Sequence, residues 1–93
     1  MKVYLQGMTA TIKMECRLSG VLTDATSATC RVVDPIGTEV VADVAMTKTA
    51  TGKYEYLYDV ADTALLGRYA AIVYATVSTH KYAEHTTFEV DWK

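Results

Sequence analysis

The 93-residue chain has no asparagine, only one proline and no cluster of charge of one sign. Without asparagine it has no site for N-linked glycosylation. Its net charge of −2 is spread along the chain, which argues against partners such as nucleic acid or anionic membrane surfaces. One proline and five glycines also leave little room for flexible linkers or low-complexity tails.

Long apolar runs are also missing. The longest, over residues 69–77, is interrupted by Thr76 and is far shorter than the roughly 20 residues of a membrane-spanning helix. Residues 1–7 lack the apolar segment of a signal peptide. We therefore expect a protein that is made in the cytoplasm without a signal peptide and does not enter a membrane.

Sequence patterns of catalysis are absent as well. The chain has no Gly-rich phosphate loop, no Gly-x-Ser-x-Gly elbow and no His-Glu-x-x-His pair. His80, Glu84 and His85 are poor candidates for a metal site, because Glu84 and His85 would point to opposite sides of a strand. We expect a protein that is not an enzyme and that binds no cofactor or metal.

The chain does contain several segments in which apolar and polar residues alternate. Hydrophobic residues make up 51% and charged residues 22%, as in a folded globular protein, and the length suits a single domain over residues 1–93. Strands are predicted over residues 3–5, 11–18, 28–33, 38–42, 53–60, 68–77 and 82–92, with polar loops formed by residues 19–20 and 23–27 and by residues 47–52. A helix beginning at Asp62 is the alternative for the sixth segment, but Gly67 and the β-branched and aromatic residues after it favour a strand. This spacing indicates an all-β sandwich or barrel.

Two corners carry recognisable turn chemistry. In Asp34-Pro35-Ile36-Gly37, Pro35 sets φ at the second turn position, Asp34 can cap the turn, and Gly37 accepts a positive φ. The second corner is Gly67-Arg68-Tyr69, which precedes the penultimate strand.

These corners resemble prokaryotic and phage immunoglobulin-like domains, as do Gly52-Lys53-Tyr54 at the start of the fifth strand and residues 88–90 near the end. The resemblance implies an immunoglobulin-like antiparallel β-sandwich of about seven strands, in which the Tyr69 hydroxyl bonds back to the preceding turn. Ala71 stands where antibody domains have their second core cysteine, so no antibody disulfide is implied. The layout is also similar to small single-domain phage virion proteins, and the family implies a packing scaffold without chemistry.

The two cysteines, Cys16 and Cys30, are both predicted to point inward by alternation. A disulfide between them would close a loop of about 15 residues and stabilise the fold by about 3 kcal/mol in the chain-entropy model. The absence of a secretory signal favours the other interpretation, two free thiols that pack as small hydrophobes.

Tyr54, Tyr56 and Tyr58 form an aromatic stripe on one face of a predicted strand. Such a stripe can stack a sugar or a peptide. We favour the more common role, in which the rings pack the sandwich core and the hydroxyls reach its rim.

The outward side chains of the penultimate strand suggest an interface. The immunoglobulin-like order that the resemblance implies makes the third and sixth strands neighbours in one sheet. In that order Val33, Ile72 and Tyr74 would form an exposed apolar patch, flanked by His85 and Thr87 on the last strand. The alternative is that they are scattered surface residues or are covered by a terminal segment. Free strand edges offer a second route to association.

We expect a structural or assembly module with protein partners, present as a homo-oligomer or as a unit of a larger particle such as a phage capsid or tail. The alternative is a carbohydrate- or peptide-binding module that uses the loops at one end of the sandwich.

Overall fold

Ten β-strands make up most of residues 2–92, the part of the chain that the computed structural model describes, and none of these residues is helical. The strands are β1 (Lys2–Leu5), β2 (Thr9–Glu15), β3 (Arg17–Leu18), β4 (Val21–Leu22), β5 (Ser27–Val33), β6 (Glu39–Ala45), β7 (Thr47–Ala50), β8 (Lys53–Asp59), β9 (Gly67–Val77) and β10 (His80–Asp91). It follows that residues 2–92 contain no helix able to cross a membrane.

The strands form two main sheets. The larger has the order β1-β10-β9-β5-β6 and the smaller the order β2-β8-β7, while β3 and β4 make a separate short hairpin. Pairing is antiparallel except between β1 and β10, where Lys2 lies opposite Phe88 in a parallel pair. The predicted all-β sandwich is confirmed, with ten strands in place of the about seven expected for a minimal immunoglobulin-like domain.

The core lies between the two sheets and follows the period of two. All five odd-numbered side chains from Tyr69 to Val77 on β9 are buried, and Cys30 and Val32 are buried opposite them on β5. From the smaller sheet come Ala10, Ile12, Met14 and Tyr54. Each large apolar side chain removed from water in this way stabilises the fold by about 1.5–3 kcal/mol.

Two segments differ from the sequence-based expectation. The predicted polar loop over residues 47–52 is wrong in part, because Thr47–Ala50 forms β7 against β8. The predicted strand over residues 11–18 is divided at Cys16. The Cys16 amide donates to the Gly52 carbonyl at 2.7 Å, and its own carbonyl accepts from Thr23 at 2.9 Å. The chain therefore leaves β2 there and turns into the β3–β4 hairpin.

Tyr69 fixes the corner before β9. Its hydroxyl donates to the Leu65 carbonyl at 2.8 Å, and its ring stacks on Phe88 with centroids 5.3 Å apart. Gly67 is required here because its φ is 128° and a Cβ would lie 3.1 Å from Cγ of Pro35. The Tyr69 corner is thus packed against the turn that contains Pro35.

The turn after β5 is held by Asp34. Its carboxylate accepts the amides of Ile36 at 3.1 Å and Thr38 at 2.8 Å, while its carbonyl accepts the Gly37 amide at 3.1 Å. Gly37 has a φ of 89°, a conformation that side chains with a Cβ rarely adopt.

Cys16 and Cys30 are both buried, and both are free thiols. Burial raises the pKa of Cys30 to about 11. The pKa of Cys16 is raised first by burial and then by the nearby carboxylates of Glu84 and Asp24. Both thiols therefore stay protonated at neutral pH and pack as small apolar side chains.

Candidate association surfaces

The outward side of the larger sheet brings the sequence-predicted candidates together. Strands β5, β9 and β10 are neighbours, and their registers define three rows of side chains. We call these nine residues the outer face: Val33–Ala70–Thr87, Arg31–Ile72–His85 and Thr29–Tyr74–Ala83.

Exposure on the outer face is uneven. Tyr74 is 38% exposed and His85 is exposed, whereas Val33, Ile72 and Thr87 are half-buried. Val33 lies opposite Ala70 and not opposite Ile72, so the apolar side chains follow a diagonal across the rows.

The sequence analysis missed Arg31, which lies directly opposite Ile72. Its guanidinium forms a hydrogen bond and ion pair with Glu39 on β6. The pKa of Arg31 is raised chiefly by Glu39, with a further contribution from the Tyr74 hydroxyl. The outer face is therefore a mixed surface and not the continuous apolar patch that we expected. The signal was present in the sequence, because Arg31 shares the alternation of Val33.

The aromatic stripe belongs mainly to the core. Tyr54 is buried, and its hydroxyl accepts the Ala25 amide at 2.9 Å. Tyr56 and Tyr58 are partly buried and pack against the same core. The three rings do not form an open platform on which a sugar could stack.

In the part of the chain that the structure describes, the histidines and carboxylates do not come together in one cluster. Over residues 2–92 there is no group of three or more His, Cys, Asp and Glu side chains that could hold a metal ion. The ring of His80 lies 6.5 Å from that of Tyr82 at the tip of the β9–β10 hairpin.

A second surface lies on one lateral side of the sandwich, between β2 and the first half of β10. We call it the lateral groove. One depression in it has a volume of about 690 Å³. Two further depressions continue along β2, and Glu84 lines all three. Tyr82 points to the same side of the sheet as the buried Phe88 and yet is 43% exposed, because the smaller sheet does not reach over it.

β2 forms one rim of the lateral groove and pairs with β8 on its other side only. The Thr11 amide on the groove side donates to the Tyr4 hydroxyl at 3.3 Å. Lys13 and Glu15 are exposed along the same rim. Sequence reasoning had anticipated free edges in general, but not which strand would have one.

No protein-family model matches the chain, and no curated protein matches it. The structure is similar to part of a crystal structure of a DUF4785 family protein from Legionella pneumophila, with a TM-score of 0.73 and 15% sequence identity. The match covers 95% of this chain and 26% of that chain, so the present chain spans about a quarter of the other protein's length. At this identity the likeness concerns the fold alone.

Proposed function

We propose that the protein is a non-catalytic structural or assembly module that associates with other protein molecules through the outer face. The observation that carries this proposal is the position of Tyr74, Ile72 and Arg31 on adjacent rows of one sheet surface. Tyr and Arg are enriched among the residues that dominate binding energy at protein interfaces. Both offer a large contact area together with directional hydrogen bonds.

Arg31 is also held in place before any partner arrives. Its contacts with Glu39 and the Tyr74 hydroxyl restrict a long side chain that would otherwise lose rotamer freedom on association. An exposed ion pair of this kind contributes little to folding stability. Its value to an interface is that less entropy is lost on binding.

The size of the surface indicates the kind of association. Strands are about 4.8 Å apart and rise about 3.3 Å per residue, so the three-stranded outer face, five residues long, covers on the order of 250 Å². A stable pairwise interface buries about 800 Å² on each partner. The outer face therefore suits weak contacts that add up when many copies assemble. A phage virion is the particle that the resemblance of the sequence favours.

The test is light scattering over a concentration series, with the variant Tyr74→Glu. We expect the mass of the wild-type protein to rise with concentration and that of Tyr74→Glu to rise much less, because a charge would be desolvated in the interface. Leu57→Glu is the matched control, since Leu57 is 55% exposed on the smaller sheet and lies outside the outer face. Circular dichroism should be the same for all three proteins.

The proposal fails if Tyr74→Glu, while folded, associates as strongly as the wild type. It also fails if Leu57→Glu weakens association to the same extent, because the effect would then follow from added charge and not from the outer face.

A further inference from the structure

We infer that β2 is a pairing edge, along which two copies of this protein join in antiparallel orientation to extend the smaller sheet. This surface is separate from the outer face, and the inference does not depend on the proposed function. It rests on three observations: the regularity of β2, the direction of its free backbone groups and its pattern of charge.

The two lateral sides of the sandwich differ in regularity. On one side, β6 pairs with β5 through two register shifts and contains Asp43 at a φ of 34°, and the four-residue β7 also has a register shift. Bulges and short strands of this kind prevent uncontrolled edge pairing. On the other side, β2 keeps one register with β8 over seven consecutive residues. The regular, continuous edge is therefore β2.

The strand of the larger sheet that lies beneath β2 is β10, and one of its side chains discourages edge pairing. β1 pairs with residues 88–91 of β10. Residues 80–87 of β10 therefore have no partner strand on that side. Within that stretch Glu84 projects toward the lateral groove. A charge directed inward discourages pairing at an edge. Pairing is thus directed to β2 and away from β10.

The backbone groups of β2 are available for pairing. In an antiparallel ladder, alternate residues direct both their amide and their carbonyl to the same side. The Thr11 amide points to Tyr4 and away from β8. Because Lys13 and Glu15 follow at intervals of two residues, their amides and carbonyls also point to the free edge. Pairing of these two residues would form four hydrogen bonds between the copies, since each opposed pair in this class exchanges two.

The charges along this edge are self-complementary. A two-fold axis at Met14 places Lys13 of each copy directly opposite Glu15 of the other. These are the two residues whose backbone groups would form the hydrogen bonds between the copies. An axis at Lys13 would instead oppose two lysines. Cross-strand pairs of opposite charge stabilise a sheet and like pairs destabilise it. Glu15 has an intrachain neighbour, Arg17 at 3.6 Å, but both side chains are about half exposed and such a pair is weak.

The test is sedimentation velocity on Lys13→Glu, on Glu15→Lys, on their equimolar mixture and on the double variant. Each single variant turns both intermolecular pairs into like-charge pairs, so we expect dimerisation at least about tenfold weaker than in the wild type. The mixture should recover the dimer, since every opposed pair is again of opposite sign. The double variant exchanges the two charges at unchanged net charge and should dimerise like the wild type.

Each measurement can overturn the inference. Wild-type protein that stays monomeric at high concentration, single variants that dimerise normally, or a mixture that stays monomeric would each do so. Tyr74→Glu distinguishes association through β2 from association through the outer face. This variant should leave the β2 dimer intact and remove only larger species. Failure of the outer-face proposal therefore leaves the β2 result unaffected.

Discussion

Tyr69→Phe is the most direct test of the corner before β9. The substitution removes one oxygen atom and leaves the buried ring, which is 2% exposed, in contact with Phe88. The hydroxyl donates to the Leu65 carbonyl at 2.8 Å, so that hydrogen bond is the interaction lost.

The expected loss in the free energy of unfolding depends on the hydrogen bond removed and on the Leu65 carbonyl that is left behind. A hydrogen bond within a protein contributes about 0.5–1.5 kcal/mol net. We expect no further penalty from the Leu65 carbonyl, because Leu65 lies in a loop and is 46% exposed as a residue, so that water can take the place of the phenol. We therefore expect a loss of about 1 kcal/mol in the free energy of unfolding. For a domain of this size that loss lowers the thermal midpoint by about 4–8 °C.

Urea unfolding followed by circular dichroism measures this change, because the one tryptophan, Trp92, is 70% exposed in the folded protein. With a slope of about 1–1.5 kcal/mol per molar urea, the midpoint should fall by somewhat less than about 1 M. Tyr82→Phe is the control, because the ring of Tyr82 is 43% exposed and loss of a solvated hydroxyl costs little. Equal midpoints for Tyr69→Phe and the wild type would refute the role given to this hydroxyl.

Three further predictions concern stability. Gly67→Ala should lower the free energy of unfolding by about 1–3 kcal/mol, because it places a Cβ 3.1 Å from Pro35 at a φ of 128°; an unchanged urea midpoint would contradict this. Asp34→Ala should cost about 1–2 kcal/mol through loss of two capped amides, and Asp34→Asn, which keeps the accepting oxygen, should cost less. Cys30 has its pKa raised to about 11 by burial, so the unfolded thiol loses its proton first as the pH rises. Stability should be complete at neutral pH and fall between pH 9.0 and about 11. Unfolding measured across this range should show a smaller alkaline loss for Cys30→Ala, and an equal loss would contradict the assignment.

The sequence contained enough to predict the sandwich and its central strand. Strict alternation over β9 determines which side chains are buried, and this period of two is local information. The same holds for the Asp34 turn and for Gly67, where backbone conformation restricts the residue type. The neighbouring position of β5 and β9 came from the family resemblance, and the strand registers agree with it.

Features that depend on contact between distant segments could not be predicted. β7 consists of Thr47–Ala50, three polar residues followed by one alanine, and it is a strand because β8 offers an edge to it. The ion pair of Arg31 with Glu39 depends on the register of β5 against β6, which bulges shift. The lateral groove exists because β10 extends past the smaller sheet. The sequence of one strand does not show how far the opposite sheet extends over it.

The parallel pairing of β1 with β10 has a consequence for synthesis. Among the described residues, the first strand pairs with the last alone, with Lys2 opposite Phe88 and Leu5 opposite Asp91. During translation β1 must therefore wait for nearly the whole domain to leave the ribosome before it can be incorporated. Such long-range closure is slow, in the range of milliseconds to seconds for domains of this topology. Premature termination within β10 before residue 88 would leave β1 unpaired and the ring of Tyr69 without Phe88 to stack on.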